Sequence, residues 1–279
     1  MIEHFFERKE PYNTILEMTP ELAKEFLDHC NTHNRKQRIA HVERIADDMR
    51  CGRWKLTHQG IAFDRNGVLL DGQHRLLAVI RSGVTVPMRV FFNESPESLM
   101  GIDAGRPRTH DELITLDGRL GPVTSKELAT LRTMVNGLNM RYKGMTATRE
   151  AGLLGRYRPA ITFAHEVLRS SEFPGVVNSV VRGVIARAYY SAPTDKLRRF
   201  ASVLQSGIMT EESEQPIILL LRYLSRTAGR VYAAEPRRET YAKTERALSA
   251  YLRGERLTRL CAASDELFTI PDAGDDESP

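Results

Sequence analysis

The residues best suited to chemistry stand together, as Asp71-Gly72-Gln73-His74-Arg75. The surrounding pattern predicts a strand that ends near residue 71 and a helix that starts near 73. A helix N-terminus presents unpaired N–H groups and partial positive charge, so anions bind there. Gly72 would let a ligand approach the backbone closely. His74 and Arg75 add donors matched to phosphate oxygens. Gln73 adds an uncharged amide, and Asp71 is an acid suited to hold a metal or take a proton. The set reads as a phosphate cradle, though not a P-loop, because G-x-x-x-x-G-K-[ST] is absent. The plainer alternative is that His74 and Arg75 cap the helix and pair with Asp71, itself a turn residue. A second cluster is Asp103, Gly105, Arg106 and Arg108. Two guanidiniums and a carboxylate on a glycine loop could close over phosphates or touch a DNA backbone.

These residues need elements to position them. One helix is expected over 12–34, with Thr19 as N-cap and Pro20 as its first residue. A second is expected over 37–50, ended by Gly52. The period then changes. Residues 60–64 read as a strand, Arg65-Asn66-Gly67 as a hairpin turn, and 68–71 as the returning strand. A short helix over 74–81 leads to a third strand over 84–92, where Pro87 argues for an edge position or a bulge. Residues 95–102 look helical, and Thr109 with Glu112 has the spacing of a capping box. Beyond about 120 the strand signal disappears. Helical patterns follow near 124–142, 148–170, 176–191, 194–206, 214–234 and 238–253, with prolines interrupting or beginning them.

This order of elements around a G-x-[HR]-R-x-x-A turn resembles the ParB/sulfiredoxin superfamily, in its branch with the DGQHR motif. The resemblance covers residues 34–108. It rests on Asn34-Arg35, Asp48-Met49, Gly52-x-Trp54, Thr57-x-Gln59, Ile61-x-Phe63-Asp64 and Asp71-Gly72-Gln73-His74-Arg75-Leu76. The Ile-Asp-x-Gly-x-x-Arg stretch ending at Arg108 is similar to the same branch. The resemblance implies nucleotide binding at the turn, with Gly72, His74 and Arg75 as the phosphate group and Thr57, Gln59 and Gln73 beside them. In ParB proteins the equivalent turn binds CTP phosphates and gates a DNA clamp. In sulfiredoxin it carries the redox cysteine and serves ATP. Gln73 stands at that cysteine's position, so sulfinic-acid reduction is excluded on chemistry. The helix-turn-helix that follows in ParB proteins is not recognisable after residue 120.

Composition bounds the rest. The net charge is +4, and the last eight residues hold four acids and no base, so removing them leaves the body at +8. A basic body admits a nucleic-acid or nucleotide partner. Arg222, Arg226, Arg230, Arg237, Arg238, Arg246 and Arg253 make the C-terminal half arginine-dense, with solvated surface as the default and nucleic-acid contact as the alternative. Cys30, Cys51 and Cys261 offer neither zinc spacing nor a disulfide framework. The longest apolar run, Ile217 to Leu221, is far short of a membrane span. A cytoplasmic protein without a membrane partner is expected.

Together these point to an α+β chain. A small ParB/sulfiredoxin-like mixed sheet with helices over 1–120 precedes an all-α domain over 121–271 and an acidic, disordered tail over 272–279. The leading expectation is a nucleotide-binding protein, borne by a phage or mobile element, that acts with DNA and is compatible with a homodimer. Its ligand would be CTP or ATP with Mg²⁺. Arg35, Arg106 and Arg108 would contact phosphate or DNA. Two alternatives stand: a phosphotransferase, NTP hydrolase or nuclease with Asp71 or Asp103 as base and Asp71 as metal ligand, and a non-catalytic DNA-associated regulator.

Overall fold

The structure, a computed structural model, describes residues 2–32, 34, 36–96, 108–139, 144–228 and 234–271. Among these, the residues of 1–109 and 143–149 make one compact unit, and those of 110–142 and 150–273 a second. The division falls at Thr109/His110 rather than near 120, because Ile114 is buried in the core of the second unit. The expected helix over 95–102 and the acidic tail over 272–279 fall wholly or mostly outside the described residues.

The first unit runs β1 (Tyr12–Met18), α1 (Pro20–Cys30), α2 (Ile39–Arg50), β2 (Ile61–Asp64), β3 (Leu69–Asp71), α3 (Gln73–Ser82) and β4 (Val86–Glu94). The strands form one mixed sheet in the order β1-β4-β2-β3. β1 is antiparallel to β4, β4 parallel to β2, and β2 antiparallel to β3. Its core joins Met18, Phe26, Ala46, Phe63, Leu76 and Phe92, all fully buried. The hairpin turn forms because Asp64 Oδ1 accepts from the N–H groups of Asn66 and Val68, at 2.8 and 2.7 Å. Gly67 supplies the positive φ, +75°, that this turn requires.

Two expectations are corrected here. Residues 12–18 are a strand, not the start of a helix; the helix begins only at Pro20, where the Thr19 side chain accepts from Leu22 N. Inward Tyr12, Thr14, Leu16 and Met18 alternate with outward Asn13, Ile15 and Glu17, a period-2 pattern. β4, which holds Pro87, is a central strand rather than an edge. Pro87 pairs with Glu17 of β1, whereas β2 first pairs with β4 at Val90. The Pro87 carbonyl points away from β1 to accept from Trp54 Nε1 at 3.0 Å. The missing N–H therefore faces the stretch where no strand flanks β4.

The second unit holds α4 (His110–Asp117), α5 (Ser125–Asn136), α6 (Ala147–Val167) from Glu150 on, α7 (Ser179–Ala188), α8 (Thr194–Ser206), α9 (Gln215–Arg226) and α10 (Ala234–Leu252). Its described residues include no strand. Thr124 and Glu127 close a reciprocal capping box at the start of α5. Pro159 lies inside α6 without ending it. α5 and α7 approach closely at Gly183, where a Cβ would stand 2.7 Å from Thr133 Cβ. Among the described residues no helix is long and apolar enough to cross a membrane.

Candidate phosphate-binding site

The Asp71–Arg75 turn is built as the sequence anticipates, with β3 ending at Asp71 and α3 starting at Gln73. Gly72 is the N-cap at φ +106°, a conformation that L side chains rarely adopt. A Cβ there would stand 2.8 Å from Ile61 Cγ1 and 3.1 Å from Ile61 Cα. The space a side chain would take is thus filled by β2, so the glycine serves chain packing rather than an open approach for a ligand. Asp71 Oδ1 accepts from Gly72 N at 2.7 Å and holds the turn. No side chain of the N-cap residue caps α3 and its first turn carries no acid, but Gly72, Gln73 and His74 are buried and the Asp71 carboxylate already occupies the helix start.

Arg75 is one turn into α3 and turns back over the sheet. Its Nη1 donates to the Gly60 carbonyl at 2.7 Å and lies 3.5 Å from Asp71 Oδ2. The side chain keeps 21% of its surface exposed. Arg75 lines a narrow crevice together with Thr57, Gln59, Gly60 and Arg89. Thr57 Oγ1 donates to the Gln59 carbonyl at 3.3 Å, which shapes this rim. The crevice holds no void the size of a nucleobase. An anion can meet these guanidiniums only at its mouth.

Arg89 was not anticipated from the sequence. It sits on the outward side of β4, alternating with buried Met88 and Val90, and its Nη1 donates to Asn13 Oδ1 at 2.9 Å. From the sequence Gly60 is only the start of a strand. A Cβ there would fall 2.2 Å from the Arg89 carbonyl oxygen, so only glycine fits between Arg75 and β4.

His74 and Gln73 turn the other way. His74 is 8% exposed, and its Nε2 accepts from Arg38 N, at the start of α2, at 3.1 Å. Its ring meets His41 edge-on with centroids 5.3 Å apart. In this arrangement Nε2 accepts and links the starts of α2 and α3, so that atom is not the one that would donate to phosphate. Gln73 is 6% exposed, and its Oε1 is buried without a hydrogen-bond partner. Asn34 Nδ2 donates to the Leu69 carbonyl at 2.8 Å and ties the segment before α2 to β3.

Arg35, Asp103 and Arg106 lie outside the described residues, and Arg108 is exposed. Asp71, the expected metal ligand, has both oxygens engaged within the described residues. One of its oxygens holds Gly72 N, the other faces the Arg75 guanidinium, and among the described residues no group of three or more His, Cys, Asp or Glu is placed to hold an ion.

The second unit holds a further ionic cluster that the sequence did not disclose. Glu150 is fully buried and accepts from Arg132 Nε and Nη2 at 2.6 and 2.8 Å, with His110 Nδ1 also 2.8 Å away. Burial alone would raise the Glu150 carboxyl, but hydrogen bonds from His110 and Arg132 outweigh it and hold it below its ordinary 4.5. Three of the C-terminal arginines are engaged. Arg246 and Arg253 pair with Glu255, and Arg237 donates to Thr133. Arg222 and Arg226 are exposed, and Arg230 lies outside the described residues. No protein-family model, curated protein or solved structure matches the chain.

Proposed function

We propose that the first unit is a nucleotide-binding module of the ParB/sulfiredoxin kind, which grips phosphates at the mouth of the Arg75–Arg89 crevice, and that the chain acts with DNA. The observation that carries this reading is the Arg75 guanidinium. It is anchored on the Gly60 carbonyl beside Arg89, Thr57 and Gln59, at the start of α3. Two guanidiniums at one mouth suit a polyphosphate. Thr57 and Gln59 offer polar groups at its edge.

The engagement of Asp71 with Gly72 N and Arg75 favours binding over turnover. Both oxygens of this carboxylate are already engaged, one on the turn and one beside a guanidinium. Nucleotide binding as a switch for DNA association is therefore preferred to phosphoryl transfer. Isothermal calorimetry with CTP, ATP and inorganic tripolyphosphate tests the cradle. DNA binding by fluorescence anisotropy, with and without nucleotide and across a salt series, tests the switch. A nucleotide-dependent affinity that falls steeply with salt is expected. DNA affinity indifferent to nucleotide would leave a plain regulator.

A further inference from the structure

The helical unit contains a groove of about 840 Å³ lined by α9, α10 and the segment after α10. Its wall is apolar, with Phe173, Ile218, Leu221 and Leu260 among the lining residues. Its rim is cationic, with Arg222, Arg226, Lys243 and Arg259, and among the described residues no carboxylate lines it. Arg222 and Arg226 are four residues apart on α9 and share one face. Neither they nor Arg259 makes an ion pair among the described residues. Lys243 differs: its Nζ pairs with Glu239 at 2.6 Å and lies 4.1 Å over the Tyr223 ring. The net charge presented to an occupant comes mainly from the three arginines.

One polar atom stands out within this wall. Ser225 Oγ is buried and has no hydrogen-bond partner, although Ser225 lines the groove. Buried hydroxyls ordinarily find a partner. The combination of an apolar wall, a few convergent polar groups and a volume in the range of small-molecule sites defines what fits. A DNA backbone would use the arginines and leave the apolar wall idle. A neutral apolar compound would leave the arginines idle. We propose that the groove binds a small amphipathic anion of the fatty-carboxylate class, its chain along Phe173, Ile218 and Leu221 and its carboxylate on Arg222 and Arg226.

Dodecanoate is the probe, with dodecanol and dodecyltrimethylammonium as chain-matched controls and a short DNA duplex as competitor. Each is titrated into the full chain by calorimetry, dodecanoate and dodecyltrimethylammonium below their micellar concentrations and dodecanol below its solubility limit. Saturable 1:1 binding of dodecanoate is expected, with dodecanol at least tenfold weaker and the cation silent. Arg222→Ala combined with Arg226→Ala removes exposed side chains and should weaken dodecanoate on the order of tenfold to a hundredfold. Ser225→Ala, whose hydroxyl is shielded from the groove, should leave the affinity unchanged while the melting temperature holds or rises. Equal binding of dodecanoate and dodecanol, unchanged affinity in the folded double-arginine variant, or a DNA duplex that binds through these arginines while dodecanoate does not would each overturn the proposal. This test uses no residue of the first unit, so it stands or falls separately from the nucleotide reading.

Discussion

The Arg75 guanidinium donates to the Gly60 carbonyl at 2.7 Å, joining the start of α3 to the start of β2. A flexible side chain becomes a fixed donor in this way, because one of its five N–H groups is committed to the backbone. The remaining N–H groups have little freedom left to lose on meeting a phosphate. That preorganisation is what the nucleotide reading uses.

The two glycines at this junction should be the least replaceable residues of the first unit. Gly60→Ala would bring a Cβ to 2.2 Å from the Arg89 carbonyl oxygen, a backbone atom that cannot swing aside. Loss of cooperative folding of this unit is expected, read by circular dichroism and proteolysis. Gly72→Ala meets Ile61 and a φ of +106°, and should cost about 1–3 kcal/mol or more in chemical denaturation. A fully stable Gly60→Ala protein would show that β2 and β4 do not approach as described.

His74 should behave as a structural clamp. His74→Ala removes the acceptor for Arg38 N, a hydrogen bond worth about 0.5–1.5 kcal/mol, together with buried ring packing. Stability should fall while phosphate affinity changes less than threefold. A hundredfold affinity loss without a stability change would return His74 to the phosphate group.

Asp71→Asn keeps an oxygen that can accept from Gly72 N, so the turn should persist with little change in melting temperature. It removes the negative charge beside Arg75. Nucleotide affinity without magnesium should hold or improve, because one anion no longer competes with the phosphates. A clear fall in magnesium-free affinity would argue against this account.

The helical unit should carry an acid-sensitive contribution from Glu150. Its carboxyl is held below 4.5, so its stabilising effect is fully present above that value and is lost as pH falls through the depressed one. Glu245 works in the opposite sense. Burial raises it, so its contribution is present below 4.5 and is lost as pH rises through the raised value. Urea denaturation at a series of pH values checks both. Glu150→Gln should lower stability at pH 7 and flatten the profile below 4.5, and a profile identical to that of the unmutated chain would contradict the cluster.

Features written in adjacent residues were legible. The Asp64–Gly67 turn, the Thr19-Pro20 helix start and the Thr124/Glu127 capping box all depend on side chains a few positions apart. Strand β1 was not, because exposed Ile15 beside half-buried Leu16 blurs the alternation, and the register with β4 decides it. The site divides in the same way. Arg75 at a helix start is readable from its neighbours. Arg89 joins it only through the register of β4 against β2. The acceptor role of His74 depends on Arg38, which is distant in sequence.

The most direct test of the central claim is the calorimetric affinity of CTP and ATP for the unmutated chain and for Arg75→Ala, with melting curves for both. One charge-assisted hydrogen bond is worth about 1.5–3 kcal/mol. The account therefore predicts binding of at least one nucleotide, weakened about tenfold to a hundredfold in a folded Arg75→Ala protein. Unchanged affinity in that folded variant, or no binding of either nucleotide to the unmutated chain, would contradict it.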